Sequence, residues 1–166
     1  MSTQTAHRIE SGFNEETAVR ALYQQLLDGW NAGSGEAFAN PLAEDGDLIG
    51  FDGTHLTGRQ EIAPFHQRLF DTYLKGTRLV GRVKKVRFLS ADVALVHALG
   101  GTLMPGKSAP SRGRAFIQTL AAVRRAGEWR FAAFQNTPVR PIGRNAAGTL
   151  LWFLFDRLWT VFGPKK

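Results

Sequence analysis

The stretch Thr77–Thr137, TRLVGRVKKVRFLSADVALVHALGGTLMPGKSAPSRGRAFIQTLAAVRRAGEWRFAAFQNT, decides the fold. Within it the apolar residues recur every second position, the period of a half-buried strand. Four runs stand out: Arg78–Phe88, Val93–Leu103, Arg114–Arg124 and Glu128–Thr137. Ser90-Ala91-Asp92, a Pro/Gly/Ser-rich loop and Ala126-Gly127 divide them. Strands joined by such short punctuation pair antiparallel.

Upstream of Thr77 the period is helical. Val19, Leu22, Tyr23, Leu26, Leu27 and Trp30 recur at three and four residues and form one apolar face. Asn14 followed by Glu15 and Glu16 predicts an N-terminal cap with acids against the helix dipole. Asn31-Ala32-Gly33 predicts the end of that helix. Ser34 then caps a short second helix carrying Ala37, Phe38, Leu42 and Ala43, which Pro41 must kink or end early. Asp45 to Phe51 reads as a short strand running into the turn Phe51-Asp52-Gly53-Thr54. Thr57-Gly58-Arg59-Gln60 has capping-box spacing and opens a third helix. That helix turns Ile62, Phe65, His66, Leu69, Phe70 and Tyr73 inward, tolerates Pro64 near its first turn, and stops near Lys75-Gly76.

Three helices followed by antiparallel strands give an α+β domain. To bury both the helical stripes and the alternating strand residues, a strongly curved sheet has to wrap the helices, which predicts a cone with a hollow interior. At 166 residues the chain is long enough for one such core. It divides into a flexible lead at 1–13, the domain at 14–138, a Pro/Gly/Arg-rich linker at 139–148 and an apolar helix at 149–163. In that last segment Thr149, Asp156, Arg157 and Thr160 form one polar stripe and nearly everything else is apolar. It falls short of the roughly 20 apolar residues that span a bilayer. Three roles stay open for it: packing on this domain or a second subunit, lying in a membrane interface, or closing the cone's mouth.

Composition excludes several chemistries. The chain has no cysteine, which removes disulfides, thiolate metal sites and cysteine nucleophiles. Residues 1–13 lack the apolar run of a signal peptide, so a cytoplasmic location is expected, with the C-terminal helix as a means of membrane association. Net charge is +7, yet Arg78, Arg82, Lys84, Lys85 and Arg87 alternate across a strand and accompany no nucleic-acid-binding motif. No nucleic-acid partner is expected. The bases Arg140, Arg144, Arg157, Lys165 and Lys166 instead gather around the apolar tail, where an anionic membrane or an acidic protein face would meet them.

Of the four histidines, His7 falls in the lead and His55 in a turn. His66 shares the inner face of the third helix and serves either as a pocket base or as a satisfied core histidine. If Val96 and Ala98 point inward, His97 points outward. Trp30, Phe65, Leu69, Phe70, Tyr73 and Phe134 could wall an apolar pocket or simply pack the core. Asn136 and Thr119 are the polar strand residues placed to meet a ligand, or to satisfy local backbone. The histidines lack zinc-ligand spacing and Asp45-Gly46-Asp47 lacks the rest of a calcium loop, so no metal is expected. Nor is there a Gly-x-Ser-x-Gly elbow, and Gly33-Ser34-Gly35 matches one only loosely.

Five segments resemble the SgcJ/EcaC family of small proteins: Leu48–Arg59 (LIGFDGTHLTGR), Phe70–Val80 (FDTYLKGTRLV), Arg112-Gly113-Arg114, Gln118-Thr119, and Gly127-Glu128-Trp129-Arg130 with Phe134-Gln135-Asn136-Thr137. In motif order the resemblance spans residues 14 to 138. It implies the SnoaL-like, nuclear-transport-factor-2-like cone shared with ketosteroid isomerase, scytalone dehydratase and limonene epoxide hydrolase, a homodimer, and a small-molecule pocket. Members of this group often carry an oxidoreductase label, but the chain has no Gly-rich phosphate turn, so no redox cofactor is expected. Isomerase chemistry of the ketosteroid type needs a carboxylate base near the first strand and a helix tyrosine. The corresponding positions here are Gly50 and Leu26, a departure that speaks against proton abstraction.

The expected ligand pocket therefore comprises Trp30, Phe65, His66, Leu69, Tyr73, Thr119, Phe134 and Asn136. Its occupant is a small, mostly apolar molecule, bound by a carrier or by a cofactor-independent lyase, isomerase or cyclase. The alternative function is a non-catalytic association module, a role the same fold plays in calcium/calmodulin-dependent kinase, with the tail recruiting a membrane or partner.

Overall fold

The computed structural model describes residues 3–111 and 113–139 together with Leu150 and Leu154, with side chains from Asn14 onward. Helix α1 runs Thr3–Asn31, α2 Gly35–Ala39 and α3 Arg59–Asp71. Six strands complete the domain: β1 Leu42–Ile49, β2 His55–Thr57, β3 Arg78–Ser90, β4 Val93–Leu103, β5 Ala115–Arg125 and β6 Glu128–Pro138. The last four begin and end within two residues of the runs read from the alternation.

At four helix termini the structure differs from expectation, the simplest being the end of α3, which stops at Asp71 instead of near Lys75-Gly76 and leaves Tyr73 exposed in the turn beyond it. Residues 3–13, expected as a flexible lead, are the first turns of α1, so Asn14 lies inside that helix instead of capping it. No proline interrupts the segment, and Gly12 alone costs only about 1 kcal/mol. Glu15 consequently serves a tertiary purpose: its carboxylate accepts hydrogen bonds from Trp129 Nε1 and from the Arg124 guanidinium. Helix α2 does start at Ser34, whose Oγ accepts from Ala37 N at 3.1 Å, but it ends at Ala39 ahead of Pro41, which sends Leu42 and Ala43 into β1. The N-cap of α3 is Gly58, with φ 77° and no side-chain cap bond. The reciprocal bond is displaced by one residue, since Glu61 Oε2 accepts from Thr57 N at 2.9 Å while Thr57 Oγ1 turns to Asp47.

The strands form one sheet in the order β2-β1-β6-β5-β4-β3. The sheet was expected to be antiparallel; it is mixed, because β1 pairs parallel with β6. No local turn joins those two strands, so nothing forces the antiparallel direction that hairpins impose. Register shifts between Leu42 and Asp47, Val83 and Lys85, Phe88 and Ser90, and Ala121 and Ala122 bend the strands and deepen the curvature. Helix α1 packs against β3 and β6, and α3 against β1 and β2. Val19, Leu22 and Leu26 of α1, Phe38 of α2, and Ile62 and Phe70 of α3 meet Val96, Leu120 and Phe131 of the sheet in one buried cluster. Two glycines allow the helices to approach closely: a Cβ on Gly29 would lie 2.4 Å from Phe38 N, and one on Gly35 2.1 Å from Ala63 O.

Of the tail, Leu150 and Leu154 are helical and exposed. The rest of the linker at 139–148 and of the apolar helix at 149–163 lies outside the described residues, Val139 excepted. Among the described residues, no helix is long and apolar enough to cross a membrane.

Candidate functional site

The open end of the cone holds a cavity of about 610 Å³. Strand alternation determines what reaches it. On the concave face, Cα partners form the rows Ala98–Gln118–Asn136 and Val96–Leu120–Phe134. The small side chain of Ala98 leaves its row open, and Gln118, Asn136 and Phe134 line the space together with Phe116. From the helices come Trp30, Phe38, Phe65, His66, Leu69 and, beyond the end of α3, Tyr73. Phe51, Asp52 and Gly113 are exposed lining residues, as is Tyr73 at 85%, and they mark the mouth.

Seven of the eight expected pocket residues thus line one cavity: Trp30, Phe65, His66, Leu69, Tyr73, Phe134 and Asn136. Thr119 is the exception. Its register partners are His97 and Gln135, one step out of phase with Gln118 and Asn136, so it occupies the convex face. There its hydroxyl lies 3.5 Å from His97 Nδ1. Because Val96 and Ala98 are buried, His97 faces outward as the conditional reading required. Phe70, also considered for the wall, packs edge-on against Trp30 behind the cavity, with ring centroids 5.2 Å apart.

Sequence reasoning missed Gln118, Phe116, Thr102, Arg114 and Asp52 among the lining side chains. One signal for Gln118 was available: it stands in phase with Phe116, Leu120 and Ala122, a polar residue on an otherwise apolar strand face.

His66 is 6% exposed. Burial pushes its pKa down to about 4, against the opposing effect of its bond to Ile62 O, so the ring is neutral near pH 7. The 2.9 Å contact between Nδ1 and Ile62 O requires Nδ1 to carry the proton. Nε2 is then a bare acceptor, with no partner among the described residues. The ring stacks tilted on Phe38 at 4.3 Å. Trp30 is held by its indole N–H, which donates to Thr77 Oγ1 at 3.2 Å.

Asp52 is the one carboxylate among the described lining residues. It accepts from Thr54 N at 3.0 Å and from Thr54 Oγ1 at 2.9 Å, which hold its pKa below the usual carboxylate range. An exposed, already bonded and readily ionised carboxylate is a weak proton acceptor. Gly50 has no side chain to add, and a Cβ there would meet Asp52 Oδ1 at 2.8 Å. Leu26 is fully buried in the core. The helix does present a tyrosine one turn earlier, Tyr23, whose hydroxyl donates to Gln118 Oε1 at 2.6 Å. Among the described residues, no group of three or more His, Asp or Glu side chains is placed to hold a metal ion. The cavity offers instead an apolar, aromatic wall with a few fixed polar atoms.

No protein-family model matches the chain, and no curated protein matches it. Solved structures do. A ketosteroid isomerase-like protein from Erwinia carotovora atroseptica superposes with a TM-score of 0.61 at 19% identity, over 75% of this chain and 96% of that one. A nuclear transport factor 2-like protein with a cystatin-like fold from Novosphingobium aromaticivorans gives 0.67 at 17% identity, over 90% and 96%. These two share the fold. A domain of unknown function with a cystatin-like fold from Nostoc punctiforme gives 0.74 at 39% identity, over 86% of each chain. At that identity and coverage, the chain belongs to the family of the Nostoc domain, within the cystatin-like, nuclear-transport-factor-2-like fold.

Proposed function

We propose that this protein binds a small, largely apolar molecule inside the cone, as a homodimeric, SgcJ/EcaC-like member of the fold. The observation that carries the reading is the cavity itself. About 610 Å³ falls within the range of about 300–1,000 Å³ typical of ligand sites, and aromatic side chains with a few convergent polar groups are the usual lining of such sites. Packing that merely filled a core would leave no such volume.

Binding is favoured over proton abstraction. A cofactor-independent isomerase or lyase of the ketosteroid type needs a carboxylate buried against its substrate. Asp52 is at the mouth and satisfied by Thr54, and His66 is a neutral acceptor of low basicity. The membrane and partner roles considered for the apolar tail belong to residues beyond the described domain.

A second reading, association, draws on the convex face of the sheet. Leu95, Leu99, Ile117 and Ala121 form an apolar patch there, with Ile117 46% exposed. The His97–Thr119 pair sits between its two apolar rows, and a mixed surface of apolar side chains with a polar pair is typical of protein contacts. Both roles coexist, since one uses the concave face and the other the convex face.

Native mass spectrometry of the purified protein tests both. A subunit carrying a co-purified small molecule, in a dimer, is the expected result. The binding reading fails if no neutral apolar compound from a broad panel raises the melting temperature of the folded protein.

A further inference from the structure

Gln118 is 1% exposed, yet its amide is only half satisfied. Oε1 accepts the Tyr23 hydroxyl at 2.6 Å. The opposite amide orientation would leave the phenol proton with no acceptor among the described residues, so this arrangement is the one that satisfies Tyr23. Two glycines clear the space for it. A Cβ on Gly81 would lie 2.2 Å from Tyr23 Oη, and one on Gly100 would lie 3.0 Å from Gln118 Oε1. The amide is therefore pinned: Gln118 lines the cavity, its Oε1 is taken by Tyr23, and its Nε2 keeps two N–H groups with no partner among the described residues. Its Cα partner Asn136 has its Oδ1 buried without a hydrogen bond, an acceptor that would take a donor and so stands apart from the Gln118 N–H groups. A pinned amide donor beside an apolar cavity is met by an acceptor when something occupies the site.

We infer that Gln118 Nε2 is the recognition donor for a neutral, largely apolar carbonyl compound, and that Tyr23 is the positioning residue that turns this donor toward the cavity. The inference rests on the cavity-binding reading and adds the ligand's class. A neutral carbonyl oxygen matches a neutral amide donor in an aromatic pocket, whereas a carboxylate would have to shed its hydration there. The cation among the lining residues is Arg114, next to exposed Gly113 at the mouth. A carboxylate ligand would choose it over Gln118.

The test uses three matched probes on the full chain: naphthalene, 2-acetylnaphthalene and 2-naphthoate, titrated by fluorescence. In the unsubstituted protein the ketone should bind about fivefold to tenfold more tightly than naphthalene, the increment of one hydrogen bond. Tyr23→Phe should remove most of that increment and leave naphthalene affinity unchanged, which a purely structural role for Tyr23 would not do. Gln118→Met, close in volume, should abolish it; if that variant does not fold, Tyr23→Phe decides alone. Naphthalene binding without any ketone increment, or an increment that survives Tyr23→Phe, overturns the inference and leaves the cavity reading intact. Preferential binding of 2-naphthoate that is lost in Arg114→Met also overturns it. If none of the three probes binds, the inference is overturned, and the broad panel of neutral apolar compounds decides the cavity reading separately.

Discussion

Tyr23 Oη and Gln118 Oε1 are 2.6 Å apart across 95 positions of sequence, joining the middle of α1 to the centre of β5. Burial raises the tyrosine's pKa well above its ordinary value, so the hydroxyl keeps its proton and remains a donor. Removing the hydroxyl alone leaves a buried carbonyl oxygen unpaired. Tyr23→Phe should therefore destabilise the domain by roughly 1–3 kcal/mol, read as a lower urea midpoint at constant slope. The double variant Tyr23→Phe/Gln118→Met should recover much of the loss, because both polar partners then become apolar. Additive losses in the double variant would show that the bond carries no coupling.

His66 makes the fold sensitive to acid. Its folded pKa is depressed to about 4 from 6.5, because burial disfavours the charged ring. Between those values the unfolded chain binds a proton that the folded chain refuses, so stability falls as pH drops through this window and is complete above it. At about 1.4 kcal/mol per pH unit, the difference amounts to about 3 kcal/mol. His66→Phe, which keeps a ring against Phe38, should flatten the stability profile between about pH 4 and 6.5. Chemical denaturation at a series of pH values measures this, and equal slopes in the two proteins would contradict it.

The β5–β6 hairpin turns at Ala126 and Gly127, with φ of 52° and 83°. Two positive values belong to the turn whose twist suits adjacent strands, and its first position favours Asn or Gly. An L-residue with a Cβ pays about 1–2 kcal/mol in this region. Ala126→Asn should then stabilise the domain by about 0.5–1 kcal/mol without touching the cavity. A melting temperature unchanged or lowered would show that the turn relaxes to another shape.

Much of this architecture is legible in the sequence because one face of each element is buried. The period-two pattern of Val93–Leu103 and the three-four spacing of Val19 to Trp30 survive in the structure because each slip would turn apolar side chains to water. What escapes is anything set by the pairing of distant segments. Thr119 and Gln118 are neighbours in sequence, and only the register of β5 against β4 and β6, bulge included, decides which one meets the cavity. The parallel β1–β6 pair and the three-residue β2 are tertiary in the same sense. Likewise the capping signal at Thr57 points to the right turn, but the residue bonded back is Glu61, because Asp47 on β1 competes for the Thr57 hydroxyl.

The convex face supplies the last prediction. A single exposed isoleucine is ordinary on a protein surface. Ile117 differs in its setting: across the ladders it is the partner of Leu99 and of Thr137, and on the same face the His97–Thr119 pair separates it from a second apolar row, Leu95 and Ala121. A two-fold partner would cover this face with its own copy, so each substitution there acts twice per dimer. A lysine at 117 would place two like charges in that contact, each losing water on association. On the proposed dimer, Ile117→Lys should leave only monomers in sedimentation velocity at micromolar concentration, where the unsubstituted protein sediments as a dimer, while the far-ultraviolet circular dichroism stays unchanged. Carbonyl-probe affinity should also persist, because residue 117 faces away from Gln118. A dimer that withstands this substitution would have to be built on a different surface.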